Sequence, residues 1–201
     1  MNNTVIGLTG QTGAGKSTIA DYAQEHSCRI VDADIIAREV LGKGSPCLKR
    51  LAEIFGYDII DEEGCCRRKL LAERAFSSVE NTEVLNRMTH ARITELAGEY
   101  INRYKNEDGV IIYDCPLLFE SGGDSLCDIV VAVAAPDKIR LQRIIARDGI
   151  TEHEAMLRIK AQKDEEFYRK RADYVIDGSM DKERVLSQFG ELLRKIARKE
   201  V

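Results

Sequence analysis

The segment "TVIGLTGQTGAGKST", Thr4 to Thr18, constrains this chain more than any other stretch. Thr4 to Leu8 reads as a short buried strand, and Lys16 to His26 reads as a helix with Ile19, Ala20 and Ala23 on one face. Between them, Gly10 to Ser17 spell G-x-x-x-x-G-K-S. Glycine at 10, 13 and 15 lets the backbone adopt conformations closed to residues with side chains, so successive N–H groups can turn inward around an anion. The helix that follows adds the positive end of its dipole. Lys16 has the reach to meet β- and γ-phosphates as a point charge, and the Ser17 hydroxyl is placed to ligate Mg²⁺. A turn that merely started a helix would need neither group at these positions. The spacing predicts a nucleotide phosphate cradle over Gly13, Ala14, Gly15, Lys16, Ser17 and Thr18.

The rest of the chain supplies the sheet that such a loop requires. "CRIVDAD", "GVIIYDCP", "DIVVAVAAP" and "ADYVIDG" read as four more strands, two of them nearly continuous in apolar residues. Such runs suit strands covered on both faces. Strands that alternate with helices predict an α/β fold, with a five-stranded parallel sheet as a P-loop core flanked by helices. Two helical stretches exceed a minimal sheet. Residues 35–108 form a helical insertion broken by turn residues at "DEEGCC", and residues 140–170 form a second, basic excursion broken at Asp148-Gly149. The core is therefore expected over 1–34, 109–139 and 171–201, with 35–108 and 140–170 as helical excursions from it.

Composition excludes several classes. With 30 Lys plus Arg against 34 Asp plus Glu, no general basic field exists to gather nucleic acid. No apolar run approaches the roughly 20 residues that span a bilayer, and the first residues lack the basic start of a secretory signal. A cytoplasmic location, with no membrane partner, is expected. The 6 cysteines include no C-x-x-C pair and only 3 histidines accompany them, so neither zinc nor disulfides are expected.

A phosphate cradle does not say where the phosphate goes, so the discriminating residues lie elsewhere. Asp32 and Asp34 are two apart, and share one face if the strand before them persists. Either can meet a substrate at the carboxyl edge of the sheet, where phosphoryl transfer needs a carboxylate to orient the accepting hydroxyl. Asp34 equally suits an N-cap for "IIAREVL", and spacing favours neither role. Asp114 ends the strand "VIIYD", where an acid can hold Mg²⁺ directly or through water; a strand-end turn former is the plainer reading. Leu117, Leu118 and Phe119 follow Pro116 as core or substrate wall. Arg140, Arg143 and Arg147 share one helical face, followed by a capping box from Thr151 to Glu154. Beside a P-loop these arginines suit a lid closing over phosphates.

With those residues in view, nearly the whole chain resembles the dephospho-coenzyme A kinases. The segments that carry the likeness are "GLTGQTGAGKST", "VDADIIAREV", "LNRMTHARI", "DCPLLFE", "QRIIARD", "RIKAQ" and "ADYVIDG". The resemblance implies transfer of a phosphoryl group from ATP, with Mg²⁺, to the ribose 3′-hydroxyl of dephospho-CoA. It implies 35–108 as the substrate (CoA) domain and 140–170 as a lid over ATP, with Asp34 as catalytic base beside Lys16, and Arg143 and Arg147 as lid residues at ATP. On the substrate side are Thr9, Asp34, Arg38, His90, Leu118 and Phe119, with Ser17 and Asp114 at the metal. ATP and dephospho-CoA are the expected partners of a monomer. The chain departs from the family pattern at Gln11, often glycine, at Ala91, usually proline, and at Gly178, usually asparagine. A nucleoside monophosphate or other metabolite kinase is the alternative enzyme; a nucleotide-dependent switch is the alternative of another class, although no N/T-K-x-D guanine segment is found.

Overall fold

The computed structural model describes residues 3–104 and 106–198 and divides into two compact units, Met1–Val31 with Ile101–Val201, and Asp32–Tyr100. The first holds five strands, β1 (Thr4–Gly10), β2 (Arg29–Asp32), β3 (Val110–Asp114), β4 (Ile129–Ala134) and β5 (Tyr174–Asp177), in the order β2-β3-β1-β4-β5. Parallel registers tie β1 to β3 and β4, and β4 to β5. Every residue of β4 is buried, as are Ile6 and Leu8 of β1, which is why these runs read as unbroken apolar text.

Helices α1 (Lys16–Glu25) and α9 (Lys182–Ala197) bring one apolar stripe each to this sheet. Val185, Phe189 and Leu192 recur at helical spacing on α9 and join Ile19 and Ala23 of α1 against Ile6, Leu8, Val131 and Val133. Enclosing a side chain such as Phe189 stabilises the unit by roughly 1.5–3 kcal/mol. At the opposite ends of the strands, Asp128 and Asp173 accept from the amides of Val5 and Val130 at 2.8 and 2.7 Å.

The lid is a hairpin of α6 (Asp137–Asp148) and α7 (Glu152–Lys160), followed by the short α8 (Glu165–Arg169). It has a small core of its own in Ile144, Ala155 and Ile159. The expected capping box is present: Thr151 accepts from the Glu154 amide while Glu154 accepts from Thr151 N–H. This hairpin belongs to the same compact unit as the sheet, and its two ends are hydrogen-bonded to the glycine turn after β1.

The second unit contains α2 (Ala33–Val40), α3 (Pro46–Phe55), α4 (Arg68–Ala75) and most of α5 (Val79–Arg103). Its limits are Asp32 and Tyr100, where 35 and 108 were expected. The reason at the first limit is local. β2 stops at Asp32, whose carboxylate accepts from the Asp34 and Ile35 amides at 2.7 and 3.1 Å and starts α2 at once. Asp32 and Asp34 therefore do not share a strand face, and Asp32, not Asp34, is the cap. The "DEEGCC" break is a turn closed by an antiparallel bridge between Ile60 and Cys66.

Candidate active site

The carboxyl ends of β1, β3 and β4 form one edge, and the register places Leu8 of β1 beside Asp114 of β3. The chain leaves β1 at Gly10 (φ 150°) and turns through Gly13 (φ 77°) and Gly15 (φ 111°) into α1. A Cβ on Gly13 would stand 2.9 Å from the Arg140 carbonyl oxygen, so this turn needs both the conformational freedom and the missing side chain.

Like α4 and α6, α1 starts without a side-chain cap, and its cap position is a glycine in the left-handed region. Side chains of Asp32, Ser45, Thr151, Asp164 and Asp181 cap α2, α3, α7, α8 and α9. At α1 the cap position is Gly15, and no side chain bonds to the first turn. A helix start left without a side-chain acceptor beside a glycine turn suits an anion of several oxygens. Outward-facing carbonyls complete the picture: Arg143 Nη1 lies 2.7 Å from the Gly178 oxygen and 3.2 and 3.3 Å from those of Ala14 and Gly13. Carbonyls held in this way would leave the alternate amides free to face an anion.

Lys16 forms an ion pair with Asp114, and both side chains are largely enclosed. Ser17, one position on, is exposed. Among the other expected residues, Thr9 and Leu118 are fully buried. The Thr9 hydroxyl donates to the Pro116 carbonyl at 3.2 Å, and Leu118 closes against Gly7 and Gly123. Both side chains are thus enclosed by protein in this structure. Phe119 remains half-buried, in edge contact with Phe167 (5.8 Å between ring centres) and tilted against Tyr168 (6.3 Å). Burial pushes the Tyr168 phenol up to about 12.

The lid arginines also differ from one another more than their common face suggests. Arg140 is 1% exposed. Burial pulls its pKa below the usual arginine value, with Asp137 opposing that pull, and its Nε donates to the Thr12 carbonyl. Arg143 holds the carbonyls just described. Arg147 is exposed and paired with Asp148, which also accepts from Arg158.

In the second unit, Asp34 and Arg38 are both exposed and lie four residues apart on α2, hence on one helical face. The carboxylate of Asp34 takes no part in capping its own helix, because Asp32 does so. His90 is half-buried in α5. Ala91 is exposed on the same helix, which runs unbroken from Val79 to Arg103; proline there would remove an amide donor and crowd the preceding turn.

Gly178 has a clear reason to be glycine. A Cβ built on it would lie 1.9 Å from the Ala14 carbonyl oxygen. The loop after β5 thus touches the phosphate loop backbone to backbone, and the asparagine usual in the family does not fit at this separation. Gly178→Ala is expected to cost about 1–3 kcal/mol. Denaturant unfolding and ADP titration check this; unchanged values in both would show that the close approach is dispensable.

All 6 cysteines are free thiols. Burial pushes Cys127 up to about 12 and raises Cys115 as well, leaving both as protonated packing groups.

A parallel sheet of this order, with a glycine loop, its lysine and an open helix start at the carboxyl edge, is the arrangement of the P-loop nucleotide-binding proteins. Solved structures share the fold. The shikimate kinase of Bacteroides thetaiotaomicron superposes with a TM-score of 0.52 at 16% identity, covering 96% of this chain and 98% of that one. A family model, dephospho-CoA kinase, matches residues 4–184, and the chain belongs to that family. It is accordingly a kinase. The dephospho-CoA kinase of Corynebacterium diphtheriae is 41% identical over 194 residues, covering 96% of this chain and 97% of the relative. That of Listeria innocua is 37% identical over 184 residues, covering 91% and 92%. Among structures, TT1252 from Thermus thermophilus matches with a TM-score of 0.80 at 28% identity, covering 97% and 98% of the two chains.

Proposed function

We propose that this kinase transfers the γ-phosphoryl group of ATP to the ribose 3′-hydroxyl of dephospho-CoA, giving CoA and ADP. The observation that carries the donor half is the start of α1, left without a side-chain cap beside Lys16. The acceptor half rests on family membership and on the exposed Asp34–Arg38 face. In this reading the amides after Gly13 bind the β- and γ-phosphates, and Lys16 exchanges Asp114 for phosphate oxygens. Asp34 orients the ribose hydroxyl and accepts its proton late, as a loose transition state allows. Arg38 and His90 bind the CoA portion of the acceptor. Arg147 turns from Asp148 to the phosphates of ATP as the lid closes, and Arg143, beside the loop carbonyls, joins it there. Phe119 supplies an apolar wall.

The donor set fits Mg²⁺. The Ser17 hydroxyl and the Asp114 carboxylate are hard oxygen ligands on one edge, and among the described residues no cluster of cysteine or histidine offers a softer alternative. When bound there, the ion would neutralise charge on the phosphate oxygens. We further read the protein as a cytoplasmic monomer working on small molecules: free thiols suit a reducing compartment. No helix among the described residues is long and apolar enough to cross a membrane.

ADP release measured with dephospho-CoA, AMP, pantothenate and shikimate tests the assignment. Release is expected to require dephospho-CoA. A preference for AMP would indicate a nucleoside monophosphate kinase, and acceptor-independent hydrolysis would indicate a switch.

A further inference from the structure

Gln162 lies just past α7, where the lid returns to the core. Its Oε1 accepts two hydrogen bonds, from the Thr12 amide at 2.9 Å and from Arg140 Nη2 at 2.7 Å. The same arginine donates through Nε to the Thr12 carbonyl at 2.9 Å, and through Nη1 to Asp137 at 3.0 Å. Thr12, Gln162 and Arg140 thereby close a ring around one residue of the phosphate loop. Beside it, Gln11 Nε2 donates to the Lys163 carbonyl at 3.2 Å.

We propose that Gln162 is a positioning residue for phosphoryl transfer: through its bond to the Thr12 amide it fixes the peptide that enters the cradle, and so aims the amides beyond Gly13 at the nucleotide phosphates. The proposal rests on the phosphate-binding reading of the loop. Its physical basis is the alternation of peptide planes. Holding the Thr12 N–H outward on Gln162, and its C=O outward on Arg140, leaves Gly13 to make the reversal that only glycine makes easily at φ 77°. The following carbonyls then meet Arg143, and the amides of the first turn of α1 remain for phosphate oxygens. Arg140 cannot replace Gln162, since it is a donor only.

Two donors converge on one oxygen, which makes the chemistry of residue 162 separable from its bulk. Gln162→Met keeps the length and loses the acceptor; Gln162→Glu keeps the oxygen. ADP affinity, measured by calorimetry, is expected to fall about tenfold in the methionine variant, as for a lost bond that leaves an enclosed donor unpaired. The glutamate variant is expected to stay within about threefold of wild type. In turnover, Gln162→Met should lower kcat and raise KM for ATP while leaving KM for dephospho-CoA within about twofold, a split that a general loosening of the fold would not give. Equal ADP binding by the methionine variant and wild type overturns the proposal. So does a glutamate variant no better than methionine.

Hydrogen exchange of ligand-free wild type supplies a test that needs no variant. The Thr12 amide is expected to exchange slowly, in contrast to the amides of Lys16 and Ser17; exchange at the rate of an open amide would refute the ring. ADP binding does not depend on which alcohol accepts the phosphoryl group. Failure of dephospho-CoA as acceptor would therefore leave this test standing, and failure here would leave the acceptor assignment standing.

Discussion

Asp34→Asn is expected to lower turnover about 10²–10⁴-fold while leaving ADP affinity within about twofold of wild type. That loss corresponds to about 3–5 kcal/mol of barrier. The substitution keeps the shape of the side chain and an oxygen that can accept the hydroxyl hydrogen bond, but removes the ability to take the proton. Nucleotide affinity is expected to survive because Asp34 sits on α2, in the compact unit that does not contain the glycine loop. A small stability change has a separate cause. Asp34 occupies the first turn of α2, where a negative charge meets the helix dipole, worth about 0.3–1 kcal/mol. Full turnover in the asparagine variant would remove Asp34 from the mechanism.

Lys16→Ala is expected to weaken both ADP binding and catalysis, with kcat/KM for ATP down by about 10²–10³-fold. It should also cost about 1–3 kcal/mol of stability, because the Asp114 carboxylate, only 12% exposed, loses the cation that faces it. The two effects separate in a double variant. Lys16→Ala with Asp114→Asn is expected to recover much of the stability and none of the activity, measured by denaturant unfolding beside steady-state kinetics. Recovery of activity in the double variant would mean that Lys16 serves only to neutralise Asp114.

The phosphate loop and its flanking elements were legible in the amino-acid sequence. The glycine loop, the strand that feeds it and the helix it opens all follow from Gly10 to Ser17, since only a strand-turn-helix can use those residues at those spacings. The Thr151 to Glu154 capping box was equally plain, because both partners are local. What could not be read was the destination of side chains whose partners are far along the chain. Arg140, Arg143 and Arg147 share a helical face in the sequence, yet one is buried against Thr12, one holds three carbonyls and one pairs with its neighbour Asp148. Periodicity assigns a face; it does not assign depth. Thr9 and Leu118 illustrate the same gap, since both flank the site in sequence and both are fully enclosed. Asp32 and Asp34 were ambiguous for a different reason. The choice of cap depends on whether β2 ends at the first or the third residue of "DAD", and strand ends are weakly specified by propensity. Gln162 carried only a family likeness in "RIKAQ", with no charge or spacing to betray its bond to residue 12.

The bare amino end of α1 carries one more consequence. Five helices of the chain begin on a cap from their own side chains; α1, like α4 and α6, does not, and at α1 the glycine loop would let a bound anion take that role. Occupancy and folding are then coupled by mass action: filling the loop adds stability in proportion to the logarithm of the filling molecule's concentration. On that account the cell's supply of nucleotide serves as a fold stabiliser as well as fuel, and the sequence leaves one of its own structural positions to be supplied from solution.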